Sequence, residues 1–164
     1  MMKMLNNHIR EYQSQLSKGQ IQKAYRGIMA FMSGLSKYLA SNYSEYAVSA
    51  LYPGYMDMTY FAFTPNDLRV KKLKVAIVYL HEKDQFEVWL AGNNRTIQAE
   101  YIALISRKNI GRHKLSQAQP GVDSIIESIL VKKPDFDHPE ELKEQIERMT
   151  LQFIKEMSLL LNDQ

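Results

Sequence analysis

Residues 73–80 read Leu-Lys-Val-Ala-Ile-Val-Tyr-Leu. Leu73, Val75, Ile77 and Tyr79 alternate as a strand requires, yet Ala76, Val78 and Leu80 make the other face apolar too. A strand apolar on both sides belongs in the middle of a sheet, covered on both faces. The surrounding sequence supplies its neighbours. Residues 46–52 read as one strand, Pro53-Gly54 as a turn, and residues 55–63 as a second strand dense in aromatic residues. His81-Glu82-Lys83-Asp84 is a polar hairpin turn into a strand over 86–91. There Phe86, Val88 and Leu90 share one face, and Glu87, Trp89 and Ala91 the other. Connections this short predict a mainly antiparallel meander.

Before this meander the apolar period is helical. Leu5, Ile9, Tyr12 and Leu16 fall on one face, and Gly19 ends that helix as a C-cap. A second helix runs from about residue 20 to 40, with Ile21, Ala24, Tyr25, Ile28, Phe31, Met32, Leu35 and Leu39 as its stripe. Gly27 and Gly34 lie close to one side of it, so another element is expected to pack closely there. After the meander, Asn94 is the expected N-cap of a helix burying Ile97, Tyr101, Leu104 and Ile105. Residues 107–121 read as a polar, basic loop. Residues 125–131 read as a fifth strand, although Ile125, Ile126, Ile129 and Leu130 also fit a short helix. Asp137-His138-Pro139-Glu140 resembles a capping box opening a long final helix marked by Leu142, Ile146, Met149, Phe153, Met157 and Leu160. The order α-α-β-β-β-β-α-β-α predicts an α+β fold: a single four- to five-stranded sheet packed with helices, one domain over residues 1–164.

Composition narrows the chemistry. The chain has no Cys, which excludes a disulfide scaffold, a thiolate zinc site, an iron–sulfur cluster and a cysteine nucleophile. The four His, at 8, 81, 113 and 138, form no His-x-x-x-His pair, and the seven Gly are too scattered for a phosphate-binding loop or dinucleotide fingerprint. No metal site and no cofactor is expected. No apolar run reaches the length of a membrane span, and the first residues lack the core of a signal peptide. A cytoplasmic protein is therefore expected, with no membrane partner. The first 75 residues carry ten basic and four acidic side chains, while the last thirty carry three and eight. Self-complementation, within one fold or across a homodimer, accounts for this more simply than a polyanion does, which leaves nucleic acid the less favoured partner.

Three segments carry more than packing requires. In 52–61, Asp57 interrupts an apolar, aromatic run, so it needs a partner or a cleft unless it simply faces solvent. In 86–95, Glu87 and Trp89 point the same way, and Asn93, Asn94 and Arg95 follow where a helix begins. That arrangement suits an anion, though a turn, a cap and a solvated Arg95 explain it more simply. The third is the loop with Arg107, Lys108, Arg112, His113 and Lys114, a phosphate binder or a solvated face. The expected cleft gathers Asp57, Glu87, Trp89, Asn93 and Arg95, with Tyr55 and Tyr60 as aromatic walls.

The segments Gly54-Tyr55-Met56-Asp57-Met58-Thr59-Tyr60-Phe61 and Phe86-Glu87-Val88-Trp89-Leu90-Ala91-Gly92-Asn93, with Val131-x-x-Pro134-Asp135-Phe136, resemble an uncharacterised bacterial family, a domain of unknown function. That resemblance implies no activity, cofactor or catalytic residue. The leading expectation is a non-enzymatic domain that binds a small molecule or a protein. The alternative is a degenerate nuclease or phosphodiesterase, because the element order is similar to the core of the PD-(D/E)XK nucleases. That likeness implies Asp57 and Glu87 as ligands of a divalent metal. The sequence departs from it in placing Trp89 where a Lys would stand and in interposing strand 73–80.

Overall fold

The computed structural model describes residues 2–162. Two helices, α1 (Met2–Lys18) and α2 (Gln20–Asn42), meet at Gly19, whose φ of 79° is the left-handed turn that glycine adopts without a Cβ clash. Six strands follow: β1 (Ala47–Val48), β2 (Met58–Thr64), β3 (Leu73–Leu80), β4 (Gln85–Gly92), β5 (Lys114–Leu115) and β6 (Ser124–Lys132). The single turn α3 (Asn66–Arg69) precedes β3, α4 (Arg95–Ile105) follows β4, and α5 (Pro139–Asn162) closes the described chain. The strands form one antiparallel sheet in the order β1-β2-β3-β4-β6-β5. The α+β architecture stands, with one strand more than the sequence suggested and with residues 124–132 settled as a strand.

One face of the sheet carries the core. Phe61 and Phe63 of β2, Val75, Ile77 and Tyr79 of β3, and Phe86, Val88 and Leu90 of β4 are all buried there. Against them pack Phe31, Met32, Leu35 and Leu39 of α2 and Leu142, Ile146, Phe153, Ile154, Met157 and Leu161 of α5, both sets recurring at helical spacing. Helix α4 joins the same side, with Ile105 buried in this cluster and Ile97 and Gln98 lying over Gly92. A Cβ at Gly92 would come within 2.9 Å of the Gln98 backbone nitrogen. Helix α1 packs along α2, leaving Leu5, Ile9 and Tyr12 of its apolar stripe exposed.

Among the described residues no helix covers the opposite face. Strand β3 does lie mid-sheet, but its second apolar set, Ala76 and Val78, is not covered by a further layer. These residues are nearly buried by their sheet neighbours and line a cavity.

Four other expectations change. Residues 46–52 form a ladder only at Ala47 and Val48, with a separate bridge from Tyr52 to Tyr60. Ser49 is the reason: its hydroxyl accepts the Ala62 N–H at 2.8 Å, taking the donor that the ladder would use. The second strand begins at Met58 rather than residue 55, because Gly54 and Met56 both adopt positive φ and spend 53–57 on a turn. Asp137 does not cap α5. The Asp135 carboxylate accepts the Asp137 N–H at 3.0 Å and meets His138 Nδ1 at 2.7 Å, and α5 starts at Pro139, which has no N–H to satisfy. Gly27 faces open space and Gly34 meets only the end of the Lys143 side chain at 3.8 Å, so neither marks a close helix crossing.

Candidate functional site

The open face of the sheet holds a cavity of about 550 Å³. Pleating sends alternate residues to it: Met58, Tyr60 and Ala62 from β2, Ala76 and Val78 from β3, Trp89 and Ala91 from β4. Ala62, Ala76 and Ala91 make a floor of methyl groups, and the larger side chains stand around it. Tyr52 leans on Tyr60, with ring centroids 4.9 Å apart. Asn93, Arg95, Gln98 and Asp123 form a polar rim at one end.

Of the seven residues expected in a cleft, four line this cavity: Tyr60, Trp89, Asn93 and Arg95. Glu87 lies on the same face and is 5% exposed. Its two oxygens are occupied: Trp89 donates its indole N–H to Oε1 at 2.8 Å and Gln85 donates its amide to Oε2 at 2.5 Å. A buried carboxylate without a cation is tolerable when donors fill its lone pairs, and these two do so.

Tyr55 and Asp57 are not in the cavity. Tyr55 is 87% exposed. The Asp57 carboxylate accepts the Tyr55 N–H at 2.9 Å, so it organises the turn before β2. Backbone N–H donors from Tyr55 and Met58 hold its pKa below the ordinary carboxylate value, with nearby His81 a smaller contribution. His81 itself meets the Thr59 hydroxyl at 2.8 Å and is pushed down by burial. Asp57 thus belongs to a turn beside Thr59, whose cross-strand neighbour is the core-side Tyr79, whereas Glu87 sits on the open face under Trp89. The two carboxylates expected to share a metal are each satisfied by protein donors in different places. Among the described residues no group of three His, Asp or Glu is arranged to hold a metal ion.

Asn94 caps α4 as expected, its side chain accepting the Ile97 N–H at 2.9 Å. Arg95 is exposed, as expected, but it is also anchored. Its guanidinium meets Asp123 at 3.1 Å and Gln98 at 3.0 Å, and it also donates to the Val122 carbonyl. Gln98, 2% exposed, donates to the Val122 and Ser124 carbonyls at 2.8 and 3.0 Å. Arg95 and Gln98 therefore latch residues 122–124 to the start of α4.

The basic loop also proves more ordered than its composition implied. His113 is 8% exposed. Its Nδ1 meets the Ser128 hydroxyl at 2.7 Å, its Nε2 meets Glu156 of α5 at 2.5 Å, and its ring sits edge-on to Phe153. The His113 hydrogen bond draws Glu156 below its ordinary value, assisted by Gln152. A histidine within a polar, basic stretch gave no signal that it would pin β6 to α5.

A second cavity, of about 410 Å³, is lined in part by Glu87 and lies on the open face. Lys83, Arg112, Lys114 and Lys132 line it together with Glu87 and Glu127. The sequence had marked Arg112 and Lys114, but Lys83 and Lys132 join them only through the strand register.

No curated protein and no solved structure matches this chain. No helix among the described residues is long and apolar enough to cross a membrane. A family profile matches residues 5–161, nearly the whole chain, and the protein is a member of that family, Domain of unknown function (DUF7000).

Proposed function

We propose that this chain is a non-enzymatic binding domain, cytoplasmic in setting, whose ligand lies on the open face of the sheet. The observation that carries this reading is the cavity floored by Ala62, Ala76 and Ala91 and walled by Tyr60 and Trp89. Ligand sites are concave and mostly apolar with a few placed polar groups, in cavities of roughly 300–1,000 Å³. Tyr60 stands on β2 and Trp89 on β4, two strand spacings across and two residues apart in register, roughly 12 Å between their backbones. The alanine floor between them leaves room for a flat ring to lie against an aromatic wall, a contact aromatic groups favour. The ligand this supports is a planar, aromatic small molecule or group.

Trp89 is the sole Trp of the chain, so its emission reports on the cavity directly. Titration with a panel of planar heterocycles is expected to quench it and to raise Tm. Ala76→Leu fills the floor without touching the helix-covered core, and should abolish both effects while the protein remains folded. A panel that leaves emission and Tm unchanged would remove the reading.

A further inference from the structure

The second cavity on the open face is lined by four cations, of which Arg112 also helps to draw Glu156 below its ordinary value. Lys83 comes from the turn between β3 and β4, Arg112 from the approach to β5, Lys114 from β5 itself, and Lys132 from the end of β6. Three separate segments converge, so the cluster is a product of the tertiary fold. Among the described residues, none of the four has a carboxylate within ion-pair distance. Glu87 and Glu127 share the cavity but are engaged elsewhere. Glu87 holds Gln85 and Trp89, and Glu127 accepts the Ser124 hydroxyl at 2.6 Å. Glu127 is the cross-strand neighbour of Lys114 and still does not pair with it. Like charges gathered round a concavity repel one another and focus a positive potential into it.

Counting both carboxylates, the lining carries four positive and two negative charges, a surplus of two. A phosphate monoester carries roughly −1.5 to −2 at neutral pH and suits that surplus, whereas a single carboxylate would leave it half met. Lysine ammonium groups serve phosphate as point charges. One hydrogen bond links the two cavities: Trp89 walls the first, and Glu87, its partner two residues back on β4, lines the second. Two residues along a strand span roughly 7 Å.

We propose that the basic cavity is the phosphate subsite for the same ligand whose ring occupies the aromatic cavity, which makes that ligand a nucleotide. The inference rests on the aromatic-cavity reading given above. The shared chemistry, a flat base joined to a phosphate, comes either from a free mononucleotide or from single-stranded nucleic acid.

The test follows Trp89 emission while the protein is titrated with four ribonucleosides, their 5′-monophosphates, inorganic phosphate and short single-stranded oligonucleotides. At least one monophosphate is expected to bind roughly tenfold or more tighter than its nucleoside, the effect of one or two charge-assisted hydrogen bonds. In the double variant Lys114→Gln, Lys132→Gln that ratio should fall to near one, with circular dichroism unchanged. Raising salt should weaken the monophosphate and leave the nucleoside alone. An oligonucleotide that binds tighter than any monophosphate identifies single-stranded nucleic acid as the source. Equal or weaker oligonucleotide binding identifies the free nucleotide. Nucleoside and monophosphate binding alike would overturn the phosphate subsite while the ring cavity stands. Silence from every probe, together with an unmoved Tm, would overturn both.

Discussion

The Trp89 indole N–H points at the Glu87 carboxylate, 2.8 Å away and two residues back on the same strand. The indole that walls one cavity is thereby tied to a residue that lines the other. The bond also fills one lone pair of a carboxylate that makes no ion pair among the described residues. Position and desolvation are solved by one contact.

Glu87→Ala removes the acceptor of two donors at once. The Trp89 indole and the Gln85 amide then lose their partners in a nearly buried site. A loss of about 2–3 kcal/mol is expected, and Glu87→Gln should cost less because one carbonyl acceptor survives. Urea unfolding checks both, and the Trp89 emission of the alanine variant should shift as the freed ring meets water.

Alkaline stability should depend on Glu147. Its carboxylate accepts the Tyr38 hydroxyl at 2.9 Å and the Tyr43 hydroxyl at 2.5 Å, tying α2 to α5. The Glu147 hydrogen bond, with burial, pushes the Tyr43 phenol up to about 12. A folded value above the unfolded one means the neutral phenol stabilises the fold. That contribution is complete below the ordinary value of 10.0 and is lost as pH rises through about 12. Tyrosinate absorbance should show a late-titrating tyrosine that moves to lower pH in Glu147→Gln.

Acid should release the His113 pin. Glu156 sits below its ordinary 4.5 because His113 hydrogen-bonds to it. A depressed folded value stabilises above the unfolded one, so this contribution is present above pH 4.5 and lost as pH falls through the folded value. Asp57 and Asp135, also held low, add to the same decline. Thermal melts across acid pH should fall less steeply in Glu156→Gln than in the unaltered chain.

Thr150 lies fully buried in α5, and its hydroxyl has no hydrogen-bond partner. Thr150→Val keeps the shape and removes the orphan. A gain of about 1 kcal/mol is expected by chemical denaturation, and a loss would mean the hydroxyl is paired in solution.

Gly54 has φ 74°, and a Cβ there would stand 1.9 Å from the Met58 carbonyl oxygen. Gly54→Ala should therefore cost more than the roughly 1 kcal/mol of a left-handed alanine. The turn before β2 must shift, and Tyr60 with it, so Trp89 emission and Tm should both change.

Much of the architecture could be read from residue order alone. Period and turn chemistry located α2, β3, β4 and α5, because each buries a long apolar stripe whose spacing survives any tertiary context. What failed was local competition. Ser49 took a ladder donor, Asp135 outbid Asp137 for the entry to α5, and residues 53–57 preferred a turn to a strand. Side-chain oxygens of Ser49, Asp135 and Asp57 take part in these cases, and periodicity does not weigh them. The site divided in the same manner. Tyr60, Glu87 and Trp89 were legible by strand phase, whereas Lys83 and Lys132 met Lys114 only through the pairing of β4, β6 and β5. A two-residue strand such as β5 leaves no pattern to detect.

The four long strands of this sheet are flanked on both sides by ladders of two residues, β1 and β5. An edge strand is an open template, and another chain can extend it indefinitely if it is long and flat. Here the template is two residues deep at either margin, with Lys114 standing on one of them. The protein can leave a sheet face without a covering helix and still resist growing sideways into an aggregate.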